Sequence, residues 1–174
     1  MDINHFVESG FVPHLGWLDD ETYSKVLDNI VVTCADVIVL NTKGKILLGK
    51  RTYYPAKGWW IAGGRMTTGE SFEKAAARNM KRELGLTISP ERFAYLGTYS
   101  FVWAMRRQPP AENGSHTVSI TMTLLINEKE AAAIKPNEEY EELKWWDPEL
   151  VAEDSQFFPP IRQYAGDIIR RGAT

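Results

Sequence analysis

The stretch GGRMTTGESFEKAAARNMKRELGL, from Gly63 to Leu86, decides the fold class of this chain. A double-glycine turn leads into a helix predicted over residues 71–84, and the glycine that follows is a common helix terminator. The predicted apolar stripe of this helix consists of Ala76, Ala77, Met80 and Leu84. Glu70, Arg78 and Glu83 recur at wide, regular spacings. This pattern indicates a site that holds a metal ion against phosphate.

The polar face of the helix carries fewer carboxylates than a site for several metal ions would need. Positions 79, 82 and 83 fall within one helical turn, and they hold Asn79, Arg82 and Glu83. One acid and one cation leave this face without net formal charge, so binding of several divalent ions is not expected. A single Mg²⁺ fits better, because Mg²⁺ takes one or two carboxylates and completes its octahedron with water and phosphate oxygens. Glu83 and a backbone carbonyl of the glycine turn are its candidate ligands.

Composition and charge predict one soluble globular domain over residues 1–174, with residues 1–30 as an N-terminal extension and short helix. Hydrophobic residues make up 44% of the chain without forming a run that would cross a bilayer, so no membrane partner is expected. A net charge of −3 offers no basic footprint for nucleic acid. The start MDINHFVESG lacks the apolar segment of a signal peptide, and the single Cys34 is expected to be a buried thiol. These features favour a cytoplasmic protein.

The rest of the chain predicts a mixed sheet flanked by helices. A short amphipathic helix is expected over residues 19–28, followed by a hairpin formed by residues 31–40 and KILLGKR, and a short strand over residues 59–62. Further strands are predicted over residues 93–105, 118–126 and 141–146, and a last helix over residues 160–171. The polar stretch EKEAAAIKPNEE is expected to separate two of these strands.

The opening stretch resembles the Nudix box, which reads G-x5-E-x7-R-E-U-x-E-E-x-G-U, where U is an aliphatic residue. The matching positions are Gly64, Glu70, Arg78, Met80, Glu83, Gly85 and Leu86. Asn79 and Arg82 depart from the box at two positions that normally supply metal carboxylates. This combination resembles the GDP-mannose mannosyl hydrolase branch of the family, whose altered box keeps only the last glutamate. The likeness extends from about Leu18 to Trp146.

The resemblance implies an α/β fold of the α+β kind, a Nudix-type α/β/α sandwich on a mixed β-sheet, with residues 63–86 as its loop-helix-loop. It implies that Arg51, Arg65 and Arg78 bind the diphosphate and stabilise the leaving nucleotide. Asp36 would bind substrate by ordering the sugar or an arginine. A homodimer through the N-terminal helix and the hairpin is a further implication.

The same resemblance implies one Mg²⁺, for which Mn²⁺ would substitute, held by the Gly63 carbonyl, Glu83 and Glu139. Immediately after the third ligand, where the branch has a histidine general base, this chain has Tyr140 in the catalytic position. A neutral tyrosine with an ordinary pKa of about 10 is a poor base at pH 7. Arg82 leaves two alternatives open: a solvated charge without a task, or the positive charge that a second metal supplies in other members.

These observations predict a Mg²⁺-dependent hydrolase of a nucleoside diphosphate derivative. The first candidate substrate is a nucleotide sugar such as GDP-mannose, released as sugar and nucleoside diphosphate. Two alternatives are an ordinary nucleoside diphosphate-X pyrophosphohydrolase and a catalytically weak nucleotide-binding module. The sequence leaves open the nucleobase, the sugar and the bond that is cleaved.

Overall fold

The computed structural model describes residues 4–172, and a mixed seven-stranded sheet forms its centre. The strands are β1 Val32–Leu40, β2 Ile46–Arg51, β3 Gly58–Trp60, β4 Ala62–Arg65, β5 Ala94–Trp103, β6 Ser115–Leu125 and β7 Tyr140–Trp146. The main path of the sheet runs β3-β2-β1-β6-β5, with β4 paired to β1 and β7 paired to β2. The β1 and β6 strands are parallel, whereas the other strand pairs are antiparallel.

Helices cover both faces of this sheet. The side chains of β1 point alternately to the two faces and pack into two different hydrophobic clusters. The helices are α1 Asp20–Asn29, α2 Phe72–Leu84, α3 Glu128–Ala132, α4 Pro148–Glu153 and α5 Pro159–Arg171. Val37 and Val39 pack into the cluster that contains the buried side of α2. Ile38 and Leu40 pack into the cluster that contains α4 and α5. A strand segment buried on both faces reads as a continuous apolar run, as residues 37–40 do.

The α2 helix begins and ends as the sequence predicts. The Ser71 side chain caps its N-terminus by accepting a hydrogen bond from the backbone N–H of Lys74 at 3.3 Å, and Gly85 ends it with a φ of 69°. The predicted stripe needs one correction, since Ala75 is fully buried and Ala77 only partly. The polar Asn79 and Glu83 are buried as well, which an apolar stripe does not predict.

Three predicted elements differ from the structure. The first hairpin pairs only at Leu40 and Ile46, because β1 continues beside β4 and β6 while β2 continues beside β3 and β7. The strand predicted over residues 59–62 is divided at Ile61 into two strands. The first, β3, pairs with β2, and the second, β4, pairs with β1. The polar stretch after β6 contains α3, whose start carries a capping box between Asn127 and Glu130.

The helix α4 was also absent from the prediction. Its first turn has the side chain of Asp147 as its cap and Pro148 at the first helical position, both of which are helix-start signals in the sequence. Among residues 4–172, none of the helices combines the length and the apolar character needed to cross a lipid bilayer.

Candidate active site

A cavity of about 270 Å³ opens beside the glycine turn of β4. Five predicted substrate or metal residues contribute to its lining, together with Arg82: Asp36, Arg51, Gly63, Arg65 and Glu139. Its aromatic lining consists of Tyr23, Tyr53, Tyr54, Trp60, Phe101 and Trp103. A cationic end beside an aromatic wall suits a ligand that carries both phosphate and a planar base.

Three arginines bring positive charge to this cavity from different elements. Arg51, at the end of β2, lies 3.4 Å from a Glu139 carboxylate oxygen, and within residues 4–172 its buried Nε has no hydrogen-bond partner. Arg65 lies over the ring of Tyr23 at 4.5 Å from the centroid. Arg107 lies 5.4 Å from the centroid of Tyr53. Arg51 and Arg65 are partly buried and Arg107 is exposed, and guanidinium donors that face a cavity suit an anionic ligand.

Arg78, predicted to bind the diphosphate, is engaged by the protein itself. Its Nε donates to Glu70 Oε1 at 2.6 Å, its Nη1 to Asn79 Oδ1 at 3.0 Å, and its Nη2 to the Arg65 carbonyl at 3.0 Å and to Glu70 Oε2 at 2.8 Å. Glu70 also accepts the Thr67 backbone N–H at 2.8 Å. The pair therefore fixes the loop between the glycine turn and α2.

Asn79 shows why an amide occupies a carboxylate position of the box. Its Nδ2 donates to the carbonyls of Ala35 on β1 and Gly64 on β4, both at 3.1 Å, and the residue is fully buried. Because a carboxylate has no N–H to donate to these carbonyls, it could not replace the amide without leaving both unpaired. Asn79 therefore joins α2 to the sheet instead of facing a ligand.

Glu83 lies buried at the centre of a small polar cluster. Its Oε2 accepts the Gly63 backbone N–H at 3.1 Å and the hydroxyl of Tyr140, while its Oε1 accepts a hydrogen bond from Arg82. The same Arg82 Nη2 donates to the Gly63 carbonyl at 3.1 Å. Burial raises the pKa of Glu83, against the lowering effect of the Arg82 charge.

Tyr140 serves this cluster as a hydrogen-bond donor. The residue is 9% exposed, and its hydroxyl points to Glu83 rather than into open solvent. Burial and the neighbouring Glu83 charge raise the pKa of Tyr140 far above its ordinary value. A phenol with a raised pKa is protonated at neutral pH and is a poor general base, and a catalytic role of Tyr140 stays a prediction.

Asp36 approaches the glycine turn closely, through the pairing of β1 with β4. A Cβ added to Gly63 would lie 2.3 Å from Asp36 Oδ1, so only glycine fits opposite this carboxyl. Burial raises the pKa of Asp36 to about 6, against a hydrogen bond from Ser119. Cys34, two residues earlier, was expected in the core but is only partly buried and lines the cavity.

The aromatic wall of the cavity was not predicted from the sequence as a binding feature. Trp60 makes edge-to-face contacts with Trp103 and Phe101, whose ring centroids lie 5.3 and 5.6 Å away. Tyr53 and Arg107 also line the cavity from loops. No spacing in the sequence links these residues, since β3, β5 and two loops bring them together.

The family of the chain follows from its sequence and its fold together. The NUDIX domain matches residues 32–165, which include the turn, α2 and the cavity strands. The chain belongs to the Nudix family. The fold agrees, because the MutT protein from Methanosarcina mazei Go1 superposes with a TM-score of 0.65 over 83% of this chain and 96% of that chain, at 18% identity. The likeness confirms the predicted α/β fold with a mixed sheet and flanking helices.

Two relatives of this Nudix chain share parts of its sequence. The uncharacterized Nudix hydrolase YvcI of Bacillus subtilis is 30% identical over 112 residues, which is 63% of this chain and 62% of the relative. The low-salt glycan biosynthesis protein Agl8 of Haloferax volcanii is 29% identical over 83 residues, which is 47% of this chain and 51% of the relative. The chain thus spans between half and two thirds of the length of these relatives.

Nudix domains typically use a divalent metal ion, and the donors of this chain fit a cation. The Gly63 carbonyl and the Glu83 carboxylate come from separate elements and converge on one positive group, the Arg82 guanidinium. Oxygen donors of this kind are the ligands that Mg²⁺ prefers. Glu139 lies against Arg51, and in the described residues no three His, Cys, Asp or Glu side chains form a metal-binding group. The ligand set Gly63, Glu83 and Glu139 therefore stays a prediction.

Proposed function

We propose that this Nudix chain hydrolyses a nucleoside diphosphate derivative, with a nucleotide sugar such as GDP-mannose as the leading substrate. The cavity carries the proposal, because it joins the cations of Arg51 and Arg65 to an aromatic wall. A diphosphate needs the first feature, and a nucleobase suits the second. The name of Agl8 refers to glycan biosynthesis, and the altered box resembles that of GDP-mannose mannosyl hydrolases; both support a sugar as the second group.

In this proposal the residues of the chain bind and orient the substrate. Arg51, whose Nε has no partner among residues 4–172, and Arg65 contact the diphosphate and stabilise the negative charge that develops on the leaving group. Asp36 accepts a hydrogen bond from the sugar or holds an arginine. Arg78 acts through the loop that it fixes and positions Arg65. A divalent ion at Gly63, Glu83 and Glu139 would supply further positive charge beside the diphosphate.

We also propose cleavage at the sugar carbon, because attack at phosphorus in this fold relies on several metal ions and α2 has lost the carboxylates for them. The test is hydrolysis of nucleotide sugars, ADP-ribose and nucleoside triphosphates with Mg²⁺ in H₂¹⁸O, with products resolved by ³¹P NMR and mass spectrometry. Label in the released sugar supports the proposal. Label in the phosphate products would instead identify a nucleoside diphosphate-X pyrophosphohydrolase.

A second candidate function is a catalytically weak nucleotide-binding module. The protonated Tyr140 in the position of the base and the contact of Arg82 with Glu83 favour it. Binding of nucleotide sugars without turnover of any compound in the same panel would establish this function. The homodimer implied by the resemblance is part of the leading proposal, and light scattering on the purified protein tests it.

A further inference from the structure

The guanidinium of Arg82 contacts the two oxygen groups that are expected to bind a cation, the Gly63 carbonyl and the Glu83 carboxylate. Its Nη2 contacts the Gly63 carbonyl at 3.1 Å and also donates to Glu83. The Nudix box carries a glutamate at this position, so the chain has a positive side chain where the family pattern has a metal ligand. The sequence alone suggested a solvated charge or a substitute for a second metal, whereas the contacts place the guanidinium on the donors of the first.

The residues around Arg82 leave space for its guanidinium and pair with its charge. A Cβ at Gly64 would lie 2.9 Å from Arg82 Nη2, so the glycine leaves the space that the guanidinium occupies. The Glu83 side chain is 2% exposed, and a buried carboxylate without a partner is strongly unfavourable. Arg82 compensates that charge, and it is the largest influence that opposes the raised pKa of Glu83. The positive charge of Arg82 thus balances the negative charge of Glu83 without a metal ion.

The outer part of Arg82 faces the ligand space. The side chain is 48% exposed, and the residue lines both the cavity beside the glycine turn and the adjoining opening that contains Thr52, Arg107 and Asn137. Among the hydrogen bonds of residues 4–172, Arg82 uses only Nη2. Its Nε and Nη1 therefore keep their N–H groups for single hydrogen bonds to an anion in the cavity, because both two-nitrogen edges of a guanidinium include Nη2.

We propose that Arg82 is a tethered cation that fills the cation position of this site and presents its remaining N–H groups to a diphosphate. Two consequences follow, one for the binding of anions and one for the binding of divalent ions. Wild-type protein binds a diphosphate anion without any divalent ion, because the positive charge is built in. Wild-type protein also binds divalent ions weakly, because a metal has to displace the guanidinium. Only the identity of the natural ligand in this inference rests on the proposed function.

The first measurement is Mn²⁺ binding to the protein alone, by EPR and calorimetry. Arg82→Gln is expected to bind Mn²⁺ about tenfold or more tightly than wild type, because removal of an adjacent charge exposes the Glu83 carboxylate. Lys81→Gln is the matched control, since it removes the same charge from an exposed neighbour on α2. An Arg82→Gln affinity equal to or below that of wild type would overturn the proposal.

The second measurement is calorimetric binding of inorganic pyrophosphate in EDTA. Wild type and Lys81→Gln are expected to bind it, Arg82→Gln about tenfold or more weakly, and Arg82→Lys in between because the charge is kept but the separate N–H donors of Nε and Nη1 are lost. Wild-type protein that binds pyrophosphate only with a divalent ion contradicts the proposal, whatever the folding of the variants. If both measurements agree with the proposal and no nucleotide sugar is hydrolysed, only the proposed function has failed.

Discussion

The carboxylate of Glu83 occupies the most demanding position in the site. It is almost fully buried and accepts hydrogen bonds from Gly63, Arg82 and Tyr140. Burial of a charge is unfavourable unless each lone pair has a partner, and this residue has partners on both oxygens. Glu83 therefore has two roles. It fixes the glycine turn through the Gly63 N–H, and it pairs with the cation of the site, which is the Arg82 guanidinium.

The Glu83→Gln variant is expected to lose the metal-dependent part of hydrolysis, by about 100-fold or more in kcat/KM, because it removes the charge that attracts a divalent ion. Folding should survive with a lower free energy of unfolding, since the amide oxygen still accepts from Gly63 and Tyr140 but the amide N–H group faces the Arg82 donor. Steady-state rates with varied Mg²⁺ and a thermal melt measure the two effects. The control is Glu128→Gln, an exposed carboxylate on α3. Near-normal rates in Glu83→Gln would contradict the placement of the cation at this residue.

At the scale of elements, the junction between the glycine turn and α2 depends on Glu70 and Arg78. Two Arg78 nitrogens and the Thr67 backbone N–H donate to Glu70. Burial raises the pKa of Glu70, but these hydrogen bonds outweigh it and lower the pKa to about 2 from an ordinary value of 4.5. A lowered pKa in the folded state means that the interaction stabilises the protein above pH 4.5 and is lost as the pH falls from there towards 2.

The Glu70→Gln variant is expected to lower the free energy of unfolding at pH 7 by about 1 to 3 kcal/mol, the range for hydrogen bonds to a charged group. The difference from wild type should shrink at pH 3, because Glu70 then binds a proton in the unfolded state but stays ionised in the folded state, which favours unfolding of wild type. Urea unfolding at both pH values measures it. Glu73→Gln, on the same helix, is the control. A difference that is equal at pH 7 and pH 3 would show that the carboxylate charge is not the stabilising feature.

At the scale of the whole molecule, Arg106 attaches the N-terminal helix to the loop between β5 and β6. Its guanidinium is 1% exposed and donates to Asp28 at 2.6 Å, to the Gly114 carbonyl at 3.0 Å and to Ser24 on α1. Tyr23 and Leu27 of the same helix line the cavity. The helix therefore contributes a wall of the cavity, and Arg106 is one of the residues that hold it there.

The Arg106→Met variant is expected to lower the free energy of unfolding by about 2 to 4 kcal/mol, because several buried hydrogen bonds are lost at once. It should also accelerate hydrogen exchange of the backbone amides in α1 more than in α2, since the helix loses its attachment. Urea unfolding and exchange measured by mass spectrometry test both effects. Lys129→Met, at an exposed position, is the control. Unchanged exchange in α1 would show that other contacts hold the helix.

The sequence by itself determined the features that depend on neighbours along the chain. The glycine turn, the capped α2 helix, the apolar β1 strand and the candidate position Glu83 follow from local spacing, because helix and strand periodicities place side chains on one face, whereas the candidate positions Arg51 and Arg65 came from the family resemblance. The short helices α3 and α4 carried cap signals in the sequence as well, but each is too short to show an apolar periodicity. The family box followed from the same local pattern.

Only the tertiary structure decided what the polar side chains contact. Tyr140 reaches Glu83 across 57 residues, and Arg82 reaches the Gly63 carbonyl across 19. A helical spacing predicts which residues share a face, but the orientation of that face towards β4 and β7 depends on packing of the whole sheet. For this reason the sequence could place Arg82 beside Glu83 without revealing that the guanidinium lies on the donors expected for a metal ion.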